Sequence, residues 1–366
     1  MEQKAEILIG ALKALLHGKP AERRGLPQAA ALANRHSVLN AIAPALLEYA
    51  EDPLRARVFS YYAEFLSQQE SLARCAEELF STLEARNIPY MPLKGYYMKP
   101  LYPDPLLRSS CDLDVLFPEE RTKEVKKLME ELGFSAGPAG ENHLFHTRGN
   151  VTVEMHYSLG SLPACPDYYK DPFKRLVHVN GCLYNFTDED FYIFLIAHIF
   201  KHFKNGGTGI RSVMDLYVFR TKKALDEDYL LAEFEKLALV SFEEKLRRLA
   251  FSWFGEESGE GLESLSDFIL QSGVYGTVAN SAAAGAAEMG KGKYFLRRAF
   301  PKVSAMKKTY PVLQKCILLL PFCYIARFLR ALFTKPGRVK GNVDAIRAVD
   351  ENRMNEMKKL FDEMGI

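Results

Sequence analysis

The sequence of 366 residues has few features of a disulfide-bonded or zinc-binding protein. Its six cysteines are widely scattered and form no C-x-x-C pair, which argues for free thiols in a reducing compartment. No internal repeat is visible, and a net charge of +2 selects no partner by itself. These absences exclude a disulfide framework and a zinc knuckle. What remains has the composition of a globular protein.

No stretch meets the requirements of a secretory signal or of an uninterrupted membrane span. Glu2 precedes the first apolar run and Lys13 interrupts it, whereas a signal has a basic start and an unbroken apolar core. The most apolar stretch, 316–333, contains Pro321 and two arginines. It is shorter than the roughly 20 apolar residues that a span needs. We expect a cytoplasmic protein with no transmembrane segment.

Changes in sequence pattern along the chain predict an α+β fold, in which a small mixed β-sheet core with helices is flanked by helical regions. The stretch 58–87 carries apolar residues at helical spacing, as does 38–50. Residues 280–293, rich in alanine and glycine, have the composition of a flexible connection. The predicted segments are an N-terminal helical region (1–87), an α/β core (88–160), a helical domain packing on the cleft of that core (161–290) and a basic C-terminal helical region (291–366).

The predicted core alternates strands and helices. Short apolar runs at 88–95 and 111–117 are typical of buried strands. Between residues 118 and 134, apolar positions recur at i, i+3, i+4 and i+7, which predicts a helix that ends at Gly133. Residues 143–159 alternate around R-G-N, a hairpin signal.

Two aspartates stand two residues apart in the apolar run C-D-L-D-V-L-F. Residues i and i+2 of a strand share a face, so Asp112 and Asp114 project together. Two buried carboxylates repel unless they are compensated, and Mg²⁺ accepts one or two carboxylates together with substrate phosphates. We interpret the pair as metal ligands; the alternative is a solvated strand edge.

Glu154 and His156 repeat this spacing on the second strand of the predicted hairpin. If that strand pairs beside 111–117, Glu154 completes a cluster of three carboxylates, which can hold two metal ions. Upstream, Lys94 and Gly95 end a strand and lead into a helix, where an ammonium and backbone N–H groups could bind phosphates. Arg108 is a second candidate cation for phosphate. The alternatives are a strand-end lysine in water and a glycine that only serves the turn.

Two further pairs lie on predicted helices. His198 and His202 share one helical face, but Ile199 stands where a zinc protease motif H-E-x-x-H requires glutamate. They are either core histidines or groups that hold nucleotide or relay a proton at the cleft. Arg211 and Asp215 are also four residues apart. They form either a surface ion pair or a substrate-binding element.

The C-terminal region is basic. Between Glu288 and Asp344 there are thirteen lysines and arginines and no acidic residue, and aromatic residues such as Phe295 and Phe300 lie among them. This pattern fits nucleic acid, an anionic membrane surface or an acidic partner, through residues 291–340. The alternative is a basic helical surface whose aromatic residues lie in the core.

Taken in order, the motifs L-K-G, L-Y-P-D-P-L-L-R, D-L-D-V-L-F, V-E-M-H-Y-S-L and H-I-F-K-H-F…G-I-R-S-V-M-D-L resemble a bacterial family, the uncharacterised nucleotidyltransferases. That family is a branch of the polymerase-beta-like superfamily, and the resemblance spans about residues 40–330. It implies that Asp112 and Asp114 are the metal-binding pair and that Glu154 is the third acidic position. Lys94-Gly95 stands where the wider superfamily has Gly-Ser.

The resemblance implies transfer of a nucleoside monophosphate from an NTP, with ATP expected, to an unknown hydroxyl acceptor, with Mg²⁺ (two ions) and release of pyrophosphate. The acceptor could be a small hydroxylated molecule, a protein side chain or a nucleic acid end. Two alternative functions would use the same carboxylates. One is a non-catalytic protein that binds nucleotide or a polyanion, and the other is a phosphotransferase acting at the γ-phosphate.

Overall fold

The computed structural model describes residues 2–138, 140, 142–274, 276–334 and 336–366. The first of its helices are α1 (Gln3–Leu16), α2 (Leu26–Arg35), α3 (Leu39–Tyr49), α4 (Asp52–Ala85), α5 (Lys94–Met98) and α6 (Thr122–Glu131). The strands are β1 (Met91–Pro92), β2 (Leu113–Leu116), β3 (Ser135–Ala136), β4 (His143–Arg148), β5 (Val151–His156), β6 (Leu176–Asn180) and β7 (Leu183–Phe186). The remaining helices are α7 (Asp188–Lys204), α8 (Ile210–Lys222), α9 (Glu227–Leu237), α10 (Val240–Phe254), α11 (Glu263–Ser272), α12 (Val278–Met289), α13 (Lys291–Ala299), α14 (Val303–Thr309), α15 (Val312–Lys315), α16 (Leu320–Thr334), α17 (Pro336–Ala348) and α18 (Glu351–Met364).

The chain forms two compact units. The first comprises Met1–Ile199 and Ile210–Leu270, and the second comprises Phe200–Gly209 and Gln271–Ile366. The first unit contains the five-stranded sheet, so the predicted α+β class with a small mixed sheet is confirmed. The four predicted segments stay a prediction about functional domains.

The sheet has the order β1-β2-β5-β4-β3. β2 and β5 run parallel, whereas β1 pairs with β2, and β4 with β3 and β5, in antiparallel fashion. Gly149 and Asn150 make the two-residue turn between β4 and β5, and Gly149 has a φ of 58° that suits such a turn. The predicted hairpin is therefore present, and its second strand lies next to β2.

Alternation along the strands gives the sheet one apolar face and one polar face. Val151, Val153 and Met155 of β5 are buried against the core, and the residues between them are half-buried on the opposite face. In β2, Leu113 and Val115 lie in the core and Asp114 between them is half-buried, whereas Leu116 at the end of the strand is also buried. Helices α4 and α6 supply the rest of this core, through apolar residues such as Leu79, Leu83, Val125, Leu128 and Met129. The polar face is thus left for the charged residues.

In the second unit, one sequence expectation is wrong. Residues 280–293 are not a flexible connection, because α12 and the start of α13 occupy them. Ala282, Ala283 and Ala286 are buried there, and α12 packs against α13, α17 and α18. Small side chains allow this close helix packing, and alanine also has the highest helix propensity.

The second unit also contains the most apolar stretch of the sequence. Ile317–Thr334, a 3-10 turn followed by α16, is an 18-residue stretch with a mean hydropathy of 1.7, and only 6% of it is buried. By length and composition alone it is apolar enough to cross a membrane, whereas its proline and two arginines predict that it does not.

Candidate active site

Three carboxylates meet on the polar face of the sheet. In the parallel register of β2 and β5, Asp114 lies directly opposite Glu154, and Asp112 is the last residue before β2. Oδ1 of Asp114 lies 3.0 Å from Nε2 of His156, and Oε2 of Glu154 lies 3.4 Å from the same nitrogen. Burial, followed by the negative charges of Asp114 and Glu154, raises the pKa of Asp112 to about 6. These carboxylates therefore lie close enough to repel one another.

Two histidines border the same carboxylates. His143 of β4 lies opposite His156 of β5, with ring centroids 5.0 Å apart, and its Nε2 lies 3.5 Å from Oε2 of Glu154. Burial alone would lower the pKa of His156, but hydrogen bonds with Asp114 and Glu154 outweigh it and raise this pKa to about 9. A positive charge between these two carboxylates is thus strongly favoured.

The donor set suits a divalent cation. Ligand atoms of His143, Glu154 and His156 all lie within 4.8 Å of one another. Carboxylate oxygens are the ligands that Mg²⁺ prefers, and imidazole nitrogens suit softer divalent ions such as Zn²⁺. His143 was not among the candidates from the sequence, because its place beside Glu154 depends on the β4–β5 register.

A buried aspartate organises the cations on the other side of the site. Asp215 of α8 is fully buried, and its two oxygens accept hydrogen bonds from Nε and Nη2 of Arg108, both at 3.0 Å. The hydroxyl of Tyr102 donates to Oδ1 at 2.7 Å, and Nζ of Lys94 lies 3.8 Å from Oδ2. Burial raises the pKa of Asp215, but the charges of Arg108 and Lys94 and these hydrogen bonds outweigh it, so the pKa lies below its usual value.

The structure gives Asp215 a different partner from the one that its spacing indicated. Among the described residues, the ion pair of Asp215 is with Arg108 and Lys94, while Arg211 donates to the backbone oxygen of Ser109 at 3.2 Å and to its hydroxyl at 3.3 Å. The surface ion pair is therefore wrong. Burial explains the change, since a carboxylate with no exposed surface needs a bidentate partner that is itself buried.

The contacts of Arg108 in the structure are with the protein itself, and its predicted contact with phosphate stays a prediction. All three guanidinium nitrogens donate within the protein, because Nη1 bonds the backbone oxygen of Ser109 and the hydroxyl of Ser110. Its side chain is only 4% exposed. Arg108 thus stabilises Asp215 and the backbone around Ser109. The ammonium of Lys94, 3.8 Å from Asp215, keeps N–H groups that can donate to another acceptor. Burial lowers the pKa of Lys94 to about 8, despite the opposing charge of Asp215.

Gly95 lies close to a serine that the motifs did not single out. Lys94 and Gly95 begin α5, and Gly95 is not among the glycines with positive φ. A Cβ atom at this position would lie 3.1 Å from the hydroxyl oxygen of Ser110. Close approach, not a left-handed turn, therefore accounts for the glycine. Ser110 places a hydroxyl beside Lys94-Gly95, where the resemblance implied that the hydroxyl of Gly-Ser is missing.

The helical histidines are divided between the two units. His198 is half-buried in the first unit, where its ring lies 6.1 Å from that of Phe194. His202 belongs to the second unit, and its backbone oxygen accepts hydrogen bonds from Asn205 and Gly207. Their predicted roles at the cleft stay predictions.

A small mixed sheet flanked by helices is consistent with a fold of the nucleotidyltransferase class. The family described as uncharacterised nucleotidyltransferase matches residues 24–255, more than half of the chain. The chain belongs to this family. The predicted resemblance is confirmed, over a range that begins and ends earlier than the motifs indicated. No curated protein matches the chain.

Two solved structures of one enzyme resemble the chain weakly. The solution structure of the antibiotic-resistance factor ANT(2'')-Ia has 13% identity and a TM-score of 0.36, covering 46% of this chain and 92% of that one. The crystal structure of ANT(2'')-Ia in complex with adenylyl-2''-tobramycin has 13% identity and a TM-score of 0.26, with coverage of 49% and 95%. Neither likeness is close enough to carry an argument about this chain's substrate.

Proposed function

We propose that the protein transfers a nucleoside monophosphate from an NTP, with ATP as the expected donor, to a hydroxyl acceptor. One observation supports this proposal: Asp112, Asp114 and Glu154 lie close enough to interact electrostatically, with Asp114 opposite Glu154 in the sheet. Carboxylates this close together destabilise a core, whereas together they can bind a metal ion that carries a triphosphate. Family membership supports nucleotidyl transfer as the reaction class.

The three carboxylates fit Mg²⁺ as the cofactor. Asp112 and Asp114 would hold two ions, and Glu154 would help to hold the second. Bound there, the ions would neutralise charge on the attacking and leaving oxygens. The fit rests on the hard oxygen donors and on their mutual repulsion, which adds to the larger effect of burial in raising the pKa of Asp112.

Lys94 and Ser110 are assigned to the triphosphate. Lys94 meets Asp215 at 3.8 Å, outside hydrogen-bond distance, so its ammonium can donate to phosphate oxygens. Ser110 lies beside Gly95 and can supply a hydroxyl. Arg108 and Asp215 act through Lys94, as positioning residues. The predicted direct contact of Arg108 with phosphate stays an alternative to this assignment.

The reaction follows from these roles. The acceptor oxygen forms a bond to the α-phosphorus, the bond from that phosphorus to the bridging oxygen breaks, and pyrophosphate leaves. The proton of the acceptor hydroxyl passes to a carboxylate, and we assign this role to Glu154. Catalysis then comes mainly from positioning and from neutralised charge.

The test uses α-labelled and γ-labelled ATP, CTP, GTP and UTP, with Mg²⁺ and a cell extract as the source of acceptor. We expect label from the α-position in an acceptor, and its loss in Asp112→Ala. Asp228→Ala is the matched control, because Asp228 is an exposed carboxylate in the first turn of α9. Thermal denaturation of both variants checks that they fold.

Each other result contradicts the proposal. Label transferred only from the γ-position identifies a phosphotransferase. Nucleotide binding without transfer of label identifies a binding protein. If calorimetry detects no binding of Mg²⁺ with NTP to the intact protein, the chain is neither type of enzyme.

A further inference from the structure

In the second unit, Ile317–Thr334 presents an apolar face to solvent. Leu318, Phe322, Ile325, Leu329 and Phe333 recur at helical spacing, and their side chains are 80%, 68%, 57%, 46% and 83% exposed. Soluble proteins rarely leave contiguous large apolar side chains uncovered. This helical face is therefore built to contact something apolar.

The opposite face of the same stretch is held by its own unit. Cys323 is buried with Met306 and Leu313, and Leu320 and Tyr324 pack against them. The hydroxyl of Tyr324 donates to the backbone oxygen of Pro301 at 2.6 Å. The helix is thus fixed on a small core, with its apolar side turned outwards.

Positively charged residues lie on α16 itself and on the elements next to it in sequence. Arg327 of α16 donates to the backbone oxygen of Ala299 at 3.1 Å, which holds the end of α13 against α16. Exposed cations lie on these and neighbouring elements, namely Arg297, Arg298, Lys302, Lys307, Lys315 and Arg330. From residue 289 to residue 343 the sequence has no acidic residue. Apolar side chains and cations are the two components by which peripheral helices bind anionic lipid.

We infer that the outward face of Ile317–Thr334 docks on the surface of a bilayer that contains anionic lipid. The apolar side chains enter the boundary between headgroups and acyl chains, and the lysines and arginines of α16 and the neighbouring elements contact the headgroups. The helix lies in the plane of the membrane, since its inner face stays on the core formed by Met306, Leu313 and Cys323.

A transmembrane orientation fits the same residues less well. The 18-residue stretch is at the short end of the ~17–25 residues that transmembrane helices use. Spanning would also require α16 to leave Met306 and Leu313 and would bring Arg327 and Arg330 into lipid. A second copy of this chain would bring the same cations face to face. Nucleic acid would leave the exposed phenylalanines without an apolar partner.

The test measures sedimentation of the full chain with vesicles of phosphatidylcholine alone or of phosphatidylcholine mixed with phosphatidylserine. We expect binding to the mixed vesicles, weakened severalfold on going from low to physiological salt, because the screening length falls from about 30 Å to about 8 Å. Phe322→Ser/Phe333→Ser should weaken partitioning by about tenfold or more. Phe59→Ser is the matched control, since Phe59 is 65% exposed on α4 of the first unit.

Charge is tested separately with Lys302→Glu/Lys307→Glu, which should also lower binding to the mixed vesicles. Because all four substituted side chains are exposed, the variants should keep the parent's thermal unfolding. Absence of vesicle binding, or equal binding to phosphatidylcholine alone, overturns the inference. Resistance of the bound protein to extraction from vesicles by alkaline carbonate would also overturn the inference, because it indicates a transmembrane helix. Self-association abolished by Phe322→Ser/Phe333→Ser, or nucleic acid binding that competes with vesicles, assigns the surface to that partner instead.

Discussion

Removing the charge of Asp215 should strongly destabilise the first unit. In Asp215→Ala, the buried guanidinium of Arg108 loses two hydrogen bonds of 3.0 Å and its counter-charge. Lys94 loses the carboxylate that opposes the lowering of its pKa. Tyr102 loses the acceptor of its hydroxyl. No solvent reaches this place to compensate, because Asp215 is 0% and Arg108 4% exposed.

The magnitude follows from the burial of the pair. Breaking a buried ion pair by removing one partner costs about 3–5 kcal/mol, because the remaining charge stays buried. Whole domains have a free energy of unfolding of about 5–15 kcal/mol. The substitution thus consumes a large share of the stability of this unit. An exposed pair contributes less than about 1 kcal/mol.

The assay is urea denaturation followed by the fluorescence of Trp253, the single tryptophan of the chain. Trp253 is buried in α10, in the same unit as Asp215, so the signal reports on that unit. Glu70→Ala is the matched control, because Glu70 pairs with Arg74 on an exposed turn of α4. In Arg108→Met/Asp215→Leu, where both charges are gone, the loss should be smaller than the sum of the losses measured in Arg108→Met alone and in Asp215→Leu alone.

Two results would refute the reasoning. One is a loss in Asp215→Ala no greater than that in Glu70→Ala. The other is strict additivity in the double variant, which would mean that Arg108 and Asp215 do not stabilise each other.

Three further predictions concern other parts of the first unit. His36 is fully buried between the backbone oxygen of Leu270 and the N–H of Ile210, and burial lowers its pKa from 6.5 to about 4. The free energy of unfolding should therefore be highest above pH 6.5 and fall by about 3 kcal/mol towards pH 4. Urea unfolding should show a smaller fall over this pH range in His36→Gln. Glu154→Gln should weaken Mn²⁺ binding in calorimetry by about tenfold or more, and an unchanged affinity would remove Glu154 from the metal site. Gly95→Val should lower the free energy of unfolding by about 1–3 kcal/mol through its contact with the hydroxyl of Ser110, a loss that an exposed site would not show.

Local patterns were enough to predict the parts of the candidate site that lie on single strands. The two-residue repeat of a strand predicted that Asp112 and Asp114 share a face, and the R-G-N turn predicted the hairpin; β2 begins at Leu113, so Asp112 lies just before the strand. The burial of Leu113 and Val115 agrees with this pattern. The order of the motifs along the chain then predicted membership of the uncharacterised nucleotidyltransferase family. Each of these signals depends on neighbours in sequence, so each is readable without coordinates.

The sequence by itself determined the α+β class, the polar face of β2 and the family. Only the tertiary structure decided that Asp114 faces Glu154, that Asp215 pairs with Arg108 and not with Arg211, and that residues 280–293 form packed helices. These outcomes depend on contacts between distant segments, where the cost of desolvating a charge selects its partner. Spacing along a helix brings Arg211 near Asp215, but burial makes the bidentate contact with Arg108 the favourable one.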